Sequence, residues 1–383
     1  MDKKIKILVS FGTRPEGIKL APVIKEIQKN SDKLDMVVCS TGQHKEMLKQ
    51  VIDFFELKPD IELSIMTQNQ SLSMLSSRII VSMEEVFEKT RPDIVLVQGD
   101  TTTAFLTAFI AFYQKIKIGH VEAGLRTYNK YSPFPEEINR QLVSKIADLH
   151  FVPTKNAYEN LKSEGIDGKG LFLTGNTVVD AIQWGINKIE NKSEDQKSED
   201  IRYLENLLDL NKKIILVTMH RRESFGEEIV NVCEALKYIS QNYKDIIIVY
   251  PVHLNPNVSG PVNDILVNIE NIKLVKPLSY EPFLWLMNKS YFIITDSGGV
   301  QEEAPTLKKP VLVIRKFTER AESVELGISK LVGTDMQKII DNTTLLLDSE
   351  IEYKKMVAYN NPYGDGRASE KIVSAISDYF KDA

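Results

Sequence analysis

Two doubly wound α/β domains joined by a charged segment are the architecture that this 383-residue sequence predicts. Three observations lead there. Short apolar runs alternate with stripes of helical spacing, first along the N-terminal half and again after residue 213. Almost every apolar run empties into glycine, charged or hydroxyl residues, as strands do at the carboxyl edge of a parallel sheet. Between the halves, residues 191–200 include no apolar member and read as a solvated linker or a surface of short helices. The domains drawn on this basis are 1–180 and 181–367. The helically spaced tail, 368–383, is expected to pack back on the first.

Residues 4–11 form a continuous apolar run, the signature of a buried parallel strand. Thr13 and Glu16 follow with capping-box spacing, and Pro15 is pre-set for a first helical turn. Ile18, Ala21, Ile24 and Ile27 continue as a helix stripe. A strand meeting a helix N-terminus through Gly12 makes an anion site of free N–H groups, with Arg14 and Lys19 beside it. A plain capped turn is the equal alternative. Residues 36–41 are the next strand, then Gly42, Gln43, His44 and a helix. Residues 61–70 are polar and irregular, 71–89 are helical, and Arg91-Pro92 breaks that helix. A strand at 94–97 empties into Gly99-Asp100 and three threonines, and one at 116–121 into Glu122. Glu136, Glu137 and Arg140 then share a helical turn, and strands at 149–153 and 171–174 bring the first domain to about seven. The second domain reads as strands at 214–218, 246–250, 272–275, 291–295 and 311–314.

Composition excludes several classes. A net charge of −5 offers no global basic field for nucleic acid or an anionic membrane. No apolar run is long enough to span a bilayer, and the N-terminus lacks a secretory pattern. Cys39 and Cys233 lie in separate apolar-periodic segments, so both are expected as reduced core residues of a cytoplasmic protein.

Carboxylates at Asp100, Glu122 and Glu136, with Arg140 close by, point to acid–base chemistry rather than to caps and surface ion pairs. Asp296-Ser297-Gly298-Gly299 after a strand lets backbone amides approach a phosphate, and Glu302 or Glu303 is placed for ribose hydroxyls. His220, Arg221 and Arg222 at another strand end suit phosphate neutralisation. There is neither a G-x-G-x-x-G nor a Walker lysine motif. His120 and Glu122 have a spacing that would suit a metal, but the remaining histidines are scattered, so neither metal nor cofactor is expected. Together these features describe two Rossmann-like domains with a nucleotide sugar in the cleft between them, diphosphate and ribose on the second and hexose on the first.

The motifs F-G-T-R-P-E-G-I-K, V-Q-G-D-T-T-T, G-H-V-E-A-G-L-R, Y-S-P-F-P-E-E-I-N-R, G-N-T-V-V-D, H-R-R-E-S-F-G, Y-P-V-H-L-N-P, D-S-G-G-V-Q-E-E-A-P and N-P-Y-G-D-G occur in this order. Along nearly its whole length the chain resembles the bacterial non-hydrolysing UDP-N-acetylglucosamine 2-epimerases. The resemblance implies the glycosyltransferase-B architecture, a homodimer, and interconversion of UDP-N-acetylglucosamine with UDP-N-acetylmannosamine, a precursor of bacterial surface polysaccharide. By position it implies Arg14, Lys19 and His220 at the diphosphate, with Ser297, Gly298 and Gly299 donating to it and Arg320 completing the site. Glu303 would hold the ribose, while Phe283 and the backbone at Leu278 would frame the uracil. Asp100, Glu122, Glu136 and Arg140 would surround the reacting hexose. It further implies a second UDP-N-acetylglucosamine, bound as an activator by Gln43, His44, Gln70, Arg221 and His253 and bridging the domains. Two positions depart from the family pattern. Gln98 stands where histidine is usual, and residues 315–321 put a cation and an aromatic ring on a loop beside the nucleotide. A UDP-sugar glycosyltransferase of the same architecture and a non-catalytic UDP-sugar-binding regulator are the alternatives.

Overall fold

The computed structural model describes residues 4–381 except 44, 68–69, 167, 222–224 and 319. The chain divides into two units, one running to Trp184 and resuming at Tyr363, the other spanning Gly185–Pro362.

The first unit is built on β1 (Ile5–Phe11), β2 (Leu34–Ser40), β3 (Ile61–Glu62), β4 (Ile94–Gln98), β5 (Lys117–Val121), β6 (Leu149–Val152) and β7 (Leu171–Leu173). They form one parallel sheet in the order β3-β2-β1-β4-β5-β6-β7. Helices cover such sheets on both faces, which is why every residue of β4 is buried and the strand reads as an unbroken apolar run. Val95 and Val97 pack with Ile79, Met83 and Phe87 of the helix Leu72–Thr90 and with Leu106 and Ile110 of the helix Thr102–Tyr113. Burial of each large side chain contributes about 1.5–3 kcal/mol.

The second unit holds β8 (Lys213–Thr218), β9 (Ile246–Pro251), β10 (Ile272–Val275), β11 (Phe292–Thr295), β12 (Val311–Val313) and β13 (Ser329–Leu331), parallel in the order β10-β9-β8-β11-β12-β13. The expected pair of parallel-sheet α/β units is therefore observed. In each sheet the winding reverses once, between β1 and β4 and between β8 and β11. Those switch points open crevices at the carboxyl ends of the strands, where open sheets bind ligands.

Two strands lay outside the sequence expectation. β3 falls in the stretch read as polar and irregular; it has two residues, held where Leu63 N–H donates to the Ser40 carbonyl at 2.7 Å. β13 carries a single apolar side chain, Leu331, so no run marks it, and it is recruited by pairing with β12. The charged segment 191–200 includes the short 3-10 turn Glu194–Gln196 and leads into the helix Glu199–Leu207, anchored by buried Ile201 and Leu204. The returning chain ends in the helix Ala368–Lys381, which buries Ile372, Val373 and Ile376 and contacts the helix Arg14–Lys29. The Asp180 carboxylate caps its start, accepting from the amides of Ser369 at 2.8 Å and Ala368 at 3.2 Å. No helix among the described residues is long and apolar enough to cross a membrane.

Candidate active site

At the first switch point β1 leads into Gly12 and β4 into Gly99-Asp100. A Cβ on Gly12 would lie 2.3 Å from Thr41 Oγ1 and 2.6 Å from Thr103 Oγ1, so only glycine fits that turn. Glu16 curls back over it. One carboxylate oxygen accepts from the amides of Gly12 (3.0 Å) and Thr13 (2.8 Å), the other from the Thr101 hydroxyl (2.7 Å). Two amides expected to be free for an anion are thus occupied, and the turn is a closed network that ties β1 to the Asp100 loop. Burial holds the Glu16 carboxyl above its ordinary range in spite of these donors. Arg14, in the first helical turn, stays partly exposed.

Glu122 follows β5 in a left-handed conformation, φ 65°. Its carboxylate pairs with Lys19 and accepts from the Gln98 amide and, at 3.1 Å, from Asn176 Nδ2. Lys19, expected at a diphosphate, is thereby placed on a carboxylate. Asp100 is supported differently. Its carbonyl accepts from Asn139 Nδ2 at 2.9 Å, and its carboxylate lies 3.6 Å from Arg140. Desolvation pushes the Asp100 carboxyl up to about 6; Arg140 opposes this, while Glu122 and Glu136 add to it. Arg140 is held by Glu137, with Nε 3.0 Å from its carboxylate. Glu137 is fully buried and also accepts from the amides of Thr127 and Tyr128 at 3.0 and 2.9 Å and from Gln141 at 2.7 Å. Burial alone would raise its carboxyl; the donors outweigh it and bring the group below its ordinary value. Of the adjacent acids, Glu137 is the internal brace and Glu136 the partly exposed one that acts electrostatically on Asp100. His120 lies in β5 with Nε2 2.8 Å from the Gly99 carbonyl, and desolvation pushes it down to about 3, so it braces the Asp100 turn as a neutral ring. Among the described residues no group of histidine, cysteine and acidic side chains is arranged to hold a metal.

At the second switch point β8 delivers His220 and β11 delivers Asp296 and Ser297. Asp296 is fully buried; one carboxylate oxygen accepts from the amides of His220 and Arg221, each at 2.8 Å, and the other lies 3.2 Å from His220 Nδ1. Burial would raise this carboxyl, but His220 and the two amides hold it below its ordinary value. The His220 ring stays 47% exposed, so its far edge faces outward while Asp296 fixes the near one. Ser297 caps the short helix Gly298–Glu303, accepting from the Val300 amide at 3.5 Å. Gly298 lets Arg320 approach, since a Cβ there would lie 3.3 Å from the guanidinium carbon. Arg320 donates through Nε to buried Glu302 at 2.9 Å. Glu302 is thereby a partner of Arg320, and Glu303 is the partly exposed member of that pair. Leu278 sits in the turn before the helix Tyr280–Lys289, and Phe283 in its first turn; both are partly exposed.

The residues expected at an activator site are distributed over both units. Gln43 accepts from the Thr103 hydroxyl at 2.9 Å. Gln70 accepts from Thr67 and Arg78 of its own neighbourhood. His253 is exposed, with its ring 6.3 Å from that of His220. Arg221 follows His220, whereas His44 lies outside the described residues, as does Arg222. Glu16, Gln98, Glu137, Asn176 and Asp296 take part in these networks, although the sequence reading assigned none of them a catalytic or ligand-binding role of its own. Only position signals them: each stands at or just beyond a strand end or in a first helical turn.

Two parallel doubly wound units, with carboxylates at one switch point and a histidine–aspartate pair beside a glycine turn at the other, define a two-unit parallel α/β protein with polar groups at both ligand edges. The UDP-N-acetylglucosamine 2-epimerase family matches residues 25–377, and the chain belongs to it. It is 54% identical over 376 residues to the UDP-N-acetylglucosamine 2-epimerase of Campylobacter jejuni, covering 97% of each chain. It is 48% identical to that of Escherichia coli K12, covering 98% of this chain and 99% of the other. Its structure resembles that of the Neisseria meningitidis UDP-GlcNAc 2-epimerase bound to UDP-GlcNAc, with a TM-score of 0.89, 47% identity and coverage of 98% and 100%. The family resemblance seen in the motifs is borne out.

Proposed function

We propose that this protein interconverts UDP-N-acetylglucosamine and UDP-N-acetylmannosamine by eliminating UDP across C1 and C2 and adding it back. The C2 proton of such a sugar is not adjacent to a carbonyl and is not acidic. Elimination removes that obstacle: a base takes the C2 proton as the C1–O bond breaks, leaving an unsaturated glycal and UDP. Protonation from the opposite face accompanies re-addition. The observation that carries this reading is the unequal treatment of two carboxylates at one sheet edge. Glu122 faces three donors, while Asp100 is pushed up to about 6, in the range useful to a proton donor near neutrality. Glu136 and Arg140 complete the group around the hexose. We assign the diphosphate to His220, Ser297, Gly298, Gly299 and Arg320 of the second unit and to Arg14 of the first, where they stabilise departing UDP. Glu303 holds the ribose, and Leu278 and Phe283 frame the uracil.

We assign the product to surface-polysaccharide precursor supply, and Gln43, His44, Gln70, Arg221 and His253 to binding an activating UDP-N-acetylglucosamine. The helix Thr102–Tyr113 supports a homodimer: Phe112 and Tyr113 are 53% and 66% exposed, next to Phe109 at 4.5 Å ring separation from Tyr113. The decisive experiment is the purified protein with UDP-N-acetylglucosamine alone, followed by proton NMR. The manno epimer is expected. Release of free sugar and UDP, or no change, would refute the assignment and leave a hydrolase, a glycosyltransferase or a binding protein.

A further inference from the structure

Asn176 stands at the start of the helix Thr177–Glu190 and is buried. Its side-chain oxygen accepts from the Val178 amide at 3.0 Å, so the amide nitrogen must point the other way. That nitrogen donates to Glu122 Oε1 at 3.1 Å. The Asn176 main chain is fixed from a distant part of the sequence, its N–H donating to the Tyr363 carbonyl at 2.7 Å. Tyr363 begins the returning segment, which is pressed against this turn. A Cβ on Gly175 would lie 3.1 Å from the Tyr363 carbonyl oxygen, and one on Gly364 3.2 Å from Gly175 Cα. Three elements therefore converge on one carboxylate, Lys19 from a helix, Gln98 from β4 and Asn176 from a helix start, and the returning chain seats Asn176 from behind.

We propose that Asn176, seated by the returning chain at Tyr363, is a positioning residue that aims the Glu122 carboxylate at the reacting carbon. The proposal rests on the reading of Glu122 as an acid–base group. A neutral amide donor suits the task because it fixes the carboxylate plane without adding a second full charge beside Lys19. Asn176 also caps its helix, so two substitutions are needed to separate the roles. Asn176→Ser keeps a capping hydroxyl but is too short to reach Glu122. Asn176→Ala loses both functions.

The test is steady-state epimerisation by the full chain, with UDP binding by calorimetry and thermal unfolding alongside. Both variants are expected to lose about ten-fold in kcat, a fraction of what a positioned acid–base group supplies. KM and UDP affinity should stay within about two-fold of wild type. Asn176→Ser should unfold at nearly the wild-type temperature, and Asn176→Ala below it. A Ser variant with wild-type kcat would overturn the proposal and leave Asn176 as a helix cap. So would a loss in which KM rises and UDP affinity falls in step with the drop in kcat. Glu122→Gln is the control: if it turns over normally, the acid–base reading fails together with this inference, whereas an inactive Glu122→Gln beside a fully active Asn176→Ser sinks the inference alone.

Discussion

Asp100 and Glu122 stand about one strand apart at the same sheet edge, yet their surroundings differ. Asp100 has one cation at 3.6 Å and two carboxylates acting on it, whereas Glu122 is gripped by a lysine and two amides. Asp100→Asn, Glu122→Gln and Glu136→Gln should each lower kcat by on the order of 10²-fold or more while UDP affinity changes little. Arg14→Ala or His220→Ala should do the reverse and weaken UDP by several-fold at least, because each would delete a charge-assisted contact of the proposed diphosphate site. Stopped assays and calorimetry on the same preparations would check the pair of outcomes. Near-normal turnover of the carboxylate variants would make that cluster structural. Asp100 also carries a pH signature. Its folded value of about 6 exceeds the ordinary 3.8, so the folded protein binds the extra proton between those values. The associated stability is fully present below 3.8 and is lost as pH rises through about 6. Thermal unfolding of Asp100→Asn should accordingly gain on wild type between about pH 4 and pH 7 and then level off. A constant difference across that range would show that the raised value is wrong.

The helix Ala368–Lys381 is capped at its start by a distant carboxylate, that of Asp180. It belongs with the first unit although the chain reaches it only after completing the second. Its helical stripe is legible in the sequence as Ile372, Val373, Ile376 and Tyr379; the first three are buried and Tyr379 stays partly exposed. The receptor for its N-terminus was not legible, since Asp180 lies 188 residues earlier and reads locally as an ordinary first-turn acid of another helix. Asp180→Ala should cost about 1–2 kcal/mol, the usual worth of a lost cap, measured by urea unfolding. Limited proteolysis should then release the C-terminal helix first. Unchanged stability would mean that Ile372, Val373 and Ile376 hold it without the cap.

At the scale of the whole molecule, elimination chemistry and an activator site make separate predictions. Turnover in deuterated water should place deuterium at C2 of both epimers, because the proton passes through solvent-exchangeable carboxyls; turnover without exchange would exclude elimination. Forward rates should be sigmoidal in UDP-N-acetylglucosamine, and the reverse reaction slow until some of it is added, since a ligand shifts a conformational equilibrium only through its differential affinity. Gln43→Ala or His253→Ala should abolish that activation and leave UDP binding intact. A hyperbolic forward curve with an unassisted reverse reaction would remove the second site. Light scattering should give the mass of a dimer, and Tyr113→Glu should shift it toward monomer by placing a charge on the exposed aromatic face.

Some of this was decided by the sequence alone. Strands buried on both faces must be apolar throughout, so β1, β4, β8 and β11 announce themselves, and the residues that end them lie at the ligand edge of a parallel sheet. Asp100, Glu122, His220 and Ser297 are readable for that reason. Other features depended on the tertiary structure. That Lys19 pairs with Glu122, that Glu137 rather than Glu136 turns inward, and that Glu302 holds Arg320 cannot be read from neighbours in sequence. Adjacent acids are chemically identical until a fold buries one of them. The partner that decides the matter lies 103 residues away for Lys19 and 18 for Glu302. β13 was hidden for the same reason: its three residues become a strand only because β12 leaves an edge to pair with. Local pattern determines which side chains reach the edge of the sheet; long-range packing and desolvation determine what each of them does there.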